Sequence, residues 1–186
     1  YGTGAGLGVG SGSPAINDAS HYYFSGRSDN FGPGNSLNPA FARMDPEAIR
    51  MSKDGKSVFI SDEYGPYVRQ YDNTTGKLVK TFTLPAELAI DNLSPNASGE
   101  RTGNSVGRYT NSGMEGLAIT PDGTMLVGIV QGALLQDRTD PATSKMLRIV
   151  TIDIATGETK QYAYMLTTGT GVSEIVAIND HEFFVL

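Results

Sequence analysis

The sequence feature that most restricts the fold is an Asp-Gly turn that follows a glutamate at a fixed distance. Asp54 and the glycine after it are flanked by strand-like apolar residues, and Asp-Gly accepts the positive φ angles of a tight hairpin turn. The arrangement that begins at Glu47 recurs at Glu115, where Asp122 starts the turn. A third copy begins at Glu174, with a shorter turn. The repeat predicts β-hairpins that share one architecture.

A second hairpin follows two of these units. The Thr-Gly turn within residues 68–77 recurs within residues 149–158, so each full unit contains four strands joined by two tight turns and a loop. Four antiparallel strands per repeat are typical of a propeller blade. The predicted fold class is therefore all-β, a β-propeller of four-stranded antiparallel blades. The alternative is a single β-sandwich in which the hairpins resemble one another by chance.

The repeats also predict the domain organisation. A single propeller domain is predicted, with blade portions at about residues 1–30, 47–85, 115–166 and 174–186. Two full units and two partial ones do not close a ring, and the sequence stops inside the apolar segment 183–186. Because an open propeller exposes strand edges, we expect an incomplete fragment whose partner is the remainder of its own propeller.

Composition bears on partners more than on fold. The 186 residues carry a formal net charge of −6, which argues against a nucleic-acid partner because phosphate binding favours a basic surface. No apolar run approaches the roughly 18 residues of a membrane-spanning helix, so no membrane span is predicted. The absence of cysteine excludes disulfides and thiolate chemistry within these residues.

Repeated acids indicate where chemistry takes place. The inner strands of a propeller run in the same direction, so we expect Glu47, Glu115 and Glu174 to meet at one mouth of the channel. The first hairpin is predicted to place Asp62 opposite Glu47, with Glu63 adjacent. Carboxylates in one pocket raise the pKa of one another unless a cation is present, and oxygen ligands favour Ca²⁺ or Mg²⁺. A metal site is predicted at these acids.

Among these acids, Glu47, Asp62 and Glu115 are predicted to be catalytic, through water activated on the metal ion. The alternative is that each repeated glutamate braces adjacent blades. In the second blade the same register is predicted to place Glu115 opposite Val130, with Gln131 adjacent. Arg50 ranks below the acids because strand alternation points it to the opposite face from Glu47.

Arginines supply the complementary charge for an anionic substrate. A guanidinium matches a carboxylate or a phosphate with two parallel hydrogen bonds. The residues predicted to bind substrate are Arg27, Tyr64, Arg69, Gln131 and Arg148. The alternative for each arginine is an ion pair with a neighbouring acid, and the alternative for Tyr64 is packing against the next blade.

Five segments resemble the phytase-like domain family, which is described as having esterase-like activity. They are residues 44–50, 61–67, 113–118, 134–137 and 172–183. The sequence departs from the family pattern at Ala48, where glycine is usual, and at the turn that contains Arg27. The resemblance implies an exported protein, secreted or periplasmic, that hydrolyses phosphoesters. Similarity to calcium-dependent phytases and alkaline phosphatases built on propellers implies Ca²⁺ or another hard divalent cation as cofactor.

The sequence therefore predicts a metal-dependent hydrolase of a small-molecule phosphoester, acting at the channel mouth. Two other classes stay open at this point. One is a lactonase or carboxylester hydrolase on a propeller, and the other is a propeller that binds a ligand without chemistry.

Overall fold

The computed structural model describes residues 23–24, 26, 43–94, 96–140 and 143–186. Strands β1 (Tyr23–Phe24) and β2 (Arg43–Met44) pair in parallel. Most of the first predicted blade portion, residues 1–30, lies outside the described residues, and so does Arg27.

Two four-stranded antiparallel sheets form the centre of the structure, and each keeps its strands in sequence order. The first contains β3 (Pro46–Met51), β4 (Ser57–Asp62), β5 (Tyr67–Asp72) and β6 (Leu78–Thr83). The second contains β7 (Met114–Ile119), β8 (Met125–Val130), β9 (Met146–Asp153) and β10 (Thr159–Met165). A further antiparallel pair is formed by β11 (Ile175–Ala177) and β12 (Phe183–Val185).

These sheets confirm the predicted fold class, which is all-β with four-stranded antiparallel propeller blades. The inner strands β3, β7 and β11 lie side by side, so the third pair occupies the place of the next blade. The single β-sandwich is wrong, because the strands form separate successive sheets. Membership of all blade portions in one propeller domain stays a prediction.

Both predicted turn types are present. The Asp-Gly turns place Gly55 and Gly123 at φ 71° and 80°, in the left-handed region that favours glycine. In the Thr-Gly turns, Gly76 and Gly157 have φ 69° and 82°. The sequence therefore fixes the hairpins through local backbone chemistry.

The register of the first hairpin differs from the prediction at its open end. Ile49 pairs with Ile60, as the turn predicts. Pro46 pairs with Asp62, because a β-bulge shifts the register between Pro46 and Ile49. The prediction that Glu47 lies opposite Asp62 is therefore wrong by one residue.

The second blade has the same bulge at the equivalent place. Gly116 pairs with Ile129, but Met114 pairs with Val130, which leaves Glu115 as the extra residue. The prediction that Glu115 faces Val130 is wrong for the same reason. Because an extra residue re-aims the side chains around it, the bulge decides where the inner-strand glutamates point.

The blades pack face to face through the alternation of side chains on β8. Leu126 and Val127 are adjacent in sequence but belong to different core clusters, since successive side chains in a strand point to opposite faces. One cluster joins the first and second blades and includes Phe59, Val68, Phe82, Leu117, Leu126, Val130, Val150 and Ile152. The other joins the second blade to the β11–β12 pair and includes Val127, Ile129, Leu147, Val172 and Ile175.

The connection between the two full blades contains a 3₁₀ turn (Ala86–Leu88) and helix α1 (Ala97–Gly103). The side chain of Asn96 caps α1 by accepting a hydrogen bond from Gly99 N at 2.7 Å. Among the described residues, no helix is long and apolar enough to cross a membrane.

Replacing Gly116 with alanine is expected to destabilise the protein by about 1–3 kcal/mol, the usual cost of overpacking. A Cβ at this position would lie 2.8 Å from Ile175 N and 2.9 Å from the carbonyl carbon of Glu174, and backbone atoms of the next blade cannot move away independently. Chemical denaturation monitored by circular dichroism would measure the change.

Ala48 occupies the equivalent bulge position of the first blade and provides the matched control. Ala48→Gly removes a Cβ that the structure already accommodates, so we expect a cost of only about 0.5–1 kcal/mol, that of a glycine within a strand. An equal or smaller loss for Gly116→Ala would contradict close contact between the second blade and β11.

Candidate functional site

Three carboxylates meet at the end of the first full blade. One ligand oxygen from each of Asp45, Glu47 and Glu63 lies within 4.8 Å of the others. Asp45 lies between β2 and β3, Glu47 lies at the bulge of β3, and Glu63 directly follows β4. A hydrogen bond from Glu63 N to Asp45 O, 3.0 Å long, holds the two chain segments together. We call these three residues the acidic cluster.

Glu63 is the buried member of the acidic cluster, with only 2% of its surface exposed. Among the described residues, its carboxylate accepts a single hydrogen bond, from Gly113 N at 3.4 Å. Gly113 is in close contact, since a Cβ there would lie 1.8 Å from Glu63 O. A buried carboxylate with one long hydrogen bond is costly unless a further partner compensates its charge.

The ionisation of the acidic cluster reflects this cost. Burial raises the pKa of Glu63 to about 8, with the charges of Glu47 and Asp45 adding to the effect. The pKa of Glu47 is raised to about 7 by partial burial, and then by the charges of Glu115, Asp45 and Asp62. Without a cation, both carboxyl groups therefore keep their protons to a higher pH than an ordinary glutamate does.

Glu115 lies beside the acidic cluster and is not a member of it. It is half-buried on the bulge of β7, and burial is the main cause that raises its pKa, followed by the charges of Asp45 and Glu174. The pKa values of Glu47 and Glu63 respond in turn to Glu115. The first two inner-strand glutamates therefore share one electrostatic environment.

Glu174 has a different setting, because it connects three blades. Its Oε2 lies 2.7 Å from Arg50 Nη2, and its Oε1 accepts hydrogen bonds from Ile175 N at 2.8 Å and Leu117 N at 3.3 Å. Arg50 belongs to the first blade and Leu117 to the second. These contacts match the bracing role that the sequence left as the alternative for each repeated glutamate.

Asp62 also has an internal role. Its Oδ2 accepts a hydrogen bond from Asp45 N at 3.1 Å and lies 3.4 Å from Arg69 Nη1, while its Oδ1 accepts one from Gly65 N at 2.9 Å. The side chains of Asp62 and Arg69 are both 0% exposed. The structure therefore places Arg69 inside the blade, away from solvent, where it neutralises an acid.

The other residues predicted to bind substrate are divided between the interior and the surface. Tyr64 is buried, with its ring 4.5 Å from the guanidinium carbon of Arg108, a residue of the connection that precedes β7. Arg148 is ion-paired, with its Nη2 2.5 Å from Asp137 Oδ2. Gln131 lines an open cavity. Arg27 lies outside the described residues.

The sequence reasoning missed Asp45, although a signal was available. Residues two apart on an extended strand point to the same side, so the spacing of Asp45 and Glu47 places both carboxylates together. The repeat concealed this signal, because the second blade has Gly113 at the equivalent position.

Comparison with known proteins assigns the chain that carries this acidic site to a family. Residues 14–186 match the family described as Phytase-like, esterase-like activity of phytase. The chain belongs to the Phytase-like family. The match covers the described blades and the acidic cluster, so the expected resemblance is confirmed.

One relative of this Phytase-like chain is an uncharacterized secreted protein of Arthroderma benhamiae, 29% identical over 160 residues. The match covers 77% of the chain but only 30% of the length of that relative. The β-propeller domain of Myceliophteria thermophila Cps50 (Swd1) is 11% identical, with a TM-score of 0.45 over 75% of this chain and 32% of that one. Kuenenia stuttgartiensis hydrazine synthase is 19% identical, with a TM-score of 0.42 over 70% and 27%.

Proposed function

We propose that this Phytase-like chain hydrolyses small-molecule phosphoesters at the acidic cluster, with Ca²⁺ or another hard divalent cation held by Asp45, Glu47 and Glu63. The observation that carries the proposal is Glu63, a buried carboxylate whose oxygens lie beside two further acids. The donor set fits such a cation, because it consists of carboxylate oxygens with excess negative charge. A cation of this kind, when bound, polarises a phosphoryl oxygen and lowers the pKa of water.

The residues around the cluster have separate roles in this proposal. Glu115, half-buried beside Asp45, accepts the proton of the attacking water. The water oxygen forms a bond to phosphorus, the phosphorus–oxygen bond of the ester breaks, and the leaving alkoxide takes a proton from solvent water to become the alcohol. Glu174 and Asp62 position the strands that carry the acids, through their contacts with Arg50 and Arg69.

The proposal also covers location and partners. The Arthroderma benhamiae relative is named as a secreted protein, which supports an exported chain, secreted or periplasmic. The partners proposed are a small-molecule substrate and the remainder of the propeller, and no nucleic acid.

The proposed activity is tested with the full-length protein on panels of phosphomonoesters and lactones. We expect hydrolysis of phosphomonoesters that is lost with a calcium chelator and restored by added Ca²⁺. Glu115→Gln should lower kcat by about 100-fold or more, the lower range for a positioned proton acceptor, while Ca²⁺ binding is retained.

Other outcomes would change the assignment. Activity on lactones alone would indicate a lactonase or carboxylester hydrolase. No activity on either panel, with Ca²⁺ bound, would indicate a propeller that binds without chemistry. Activity that persists in the chelator would reject the role of the acidic cluster.

A further inference from the structure

A cavity of about 590 Å³ lies beside the acidic cluster, between the second blade and the segment that leads to β11. Its lining includes Tyr109, Ser112, Gln131, Arg138 and Val172. None of its described lining residues has an acidic side chain, and Arg138 is the one with a cationic side chain. The side chains of this lining therefore carry a positive charge, in a chain whose net charge is −6.

Arg138 is an exposed residue whose guanidinium is held against the cavity wall. Its Nε donates a hydrogen bond to Ala133 O at 2.8 Å, and its guanidinium carbon lies 3.9 Å from the centre of the Tyr109 ring. Among the described residues, no acid lies within ion-pair distance of Arg138, whereas Arg148 is paired with Asp137. Partial burial lowers the pKa of Arg138 from its ordinary value.

Arg138 lies close to Ser112 in the cavity wall. A Cβ at Gly132 would lie 2.9 Å from Arg138 Nη2 and 3.7 Å from Ser112 Oγ, so both side chains lie over the same glycine. The residue after Ser112 is Gly113, whose N–H donates to Glu63. Residues 112–113 therefore contribute to the cavity lining through Ser112 and contact the acidic cluster through Gly113 N.

Comparison of the two blades explains why the cavity and the acidic cluster differ in charge. Gln131 follows β8 as Glu63 follows β4, so an amide replaces the buried acid in the second blade. Among the described residues, no hydrogen bond engages the Gln131 side chain, which leaves its amide available to a ligand in the cavity. The first blade offers carboxylates, and the second offers a guanidinium and an amide.

We propose that this cavity binds the phosphate group of the substrate, with Arg138 as the anchoring cation and Gln131 as a neutral hydrogen-bond donor. The planar guanidinium, fixed by Tyr109 and Ala133, presents its remaining N–H groups to two phosphate oxygens. This inference rests on the proposed function, since it assigns a phosphate subsite to the same mouth.

The test is a calorimetric titration of the full-length, metal-free protein with inorganic phosphate, and then with phenyl phosphate. We expect saturable binding of both ligands. Arg138→Gln should weaken it by about 10- to 100-fold, which corresponds to the loss of one hydrogen bond to a charged group. Thermal unfolding and Ca²⁺ titration of the same variant should match the wild type, which separates the loss from misfolding.

Arg101 provides the matched control, because its guanidinium also lies over the Tyr109 ring, at 5.4 Å, but it does not line the cavity. Arg101→Gln should bind phosphate within about twofold of the wild type, as surface substitutions have small effects. Equal loss in both variants, or unchanged binding in Arg138→Gln, would overturn the subsite. Failure of Ca²⁺ binding would instead overturn the metal site, because the phosphate titration contains no metal.

Discussion

Replacing Glu63 with glutamine is expected to lower the Ca²⁺ affinity of the full-length protein by at least about 10-fold. Mutation of a residue that only hydrogen-bonds to a metal ligand already costs about 10-fold, so the loss of a proposed ligand should cost no less. Glu63 is the buried acid of the cluster, so its charge interacts with a cation under weak solvent screening. Isothermal titration with Ca²⁺ would measure the change, and phosphomonoesterase activity should fall with it.

The pH dependence of the same variant gives a second readout. The pKa of Glu63 is raised from 4.5 to about 8 by burial first and by neighbouring charges second. In the metal-free protein, its contribution to the free energy of unfolding is fully present below pH 4.5 and is lost as the pH rises through about 8. Glutamine does not titrate, so metal-free Glu63→Gln should lose less stability between these pH values. In the wild type, protons should compete with Ca²⁺ as the pH falls below 8.

Glu174→Gln is the control for charge alone, since it removes one negative charge from the same mouth. Glu174 is ion-paired with Arg50 and hydrogen-bonded to the backbone, so its loss should change Ca²⁺ affinity far less than the loss of Glu63. Similar losses in the two variants would mean that Ca²⁺ responds to the net charge of the mouth and not to ligation by the acidic cluster.

The fold could be predicted because its signals are local. An Asp-Gly or Thr-Gly turn specifies its own backbone, and the repeat multiplies the signal. The bulges on β3 and β7 are different, because no residue type at Glu47 or Glu115 requires an extra residue. The contacts at the bulges involve residues outside the turns, since Ala48 N donates to Ser61 Oγ on β4, and Gly116 lies against β11 of the next blade.

The sequence predicted only part of the candidate site, because the prediction relied on the repeat. The repeat identified Glu47 and Glu115, but it favoured positions shared by all blades. Asp45 and Arg138 have no equivalent in the other blades, so repetition could not reveal them. Asp62 was predicted to be catalytic and Glu63 was not, whereas the distribution of their buried partners distinguishes the two acids in the opposite sense.

Replacing Asp62 with alanine is expected to destabilise the protein by about 3–5 kcal/mol, the usual cost of removing one partner from a buried ion pair. The variant leaves the guanidinium of Arg69 buried without its carboxylate, and it removes the acceptor for the backbone N–H groups of Asp45 and Gly65. Denaturant unfolding with and without Ca²⁺ should give nearly the same loss, because Asp62 supports the strand and is not one of the proposed ligands.

A double variant, Asp62→Ala with Arg69→Met, separates the ion pair from other causes. Replacing a buried charged pair by apolar residues is often nearly neutral, so the double variant should recover much of the stability that the single change loses. If the double variant recovers no stability, the loss comes instead from the unpaired backbone N–H groups and from the space left by the Asp62 side chain. A single variant that unfolds like the wild type but has no activity would restore Asp62 to the catalytic role predicted from the sequence. Glu63 and Asp62 thus differ in what their loss removes, since Glu63 is a proposed ligand of the cation and Asp62 holds the strand in place through its contacts with Arg69, Asp45 and Gly65.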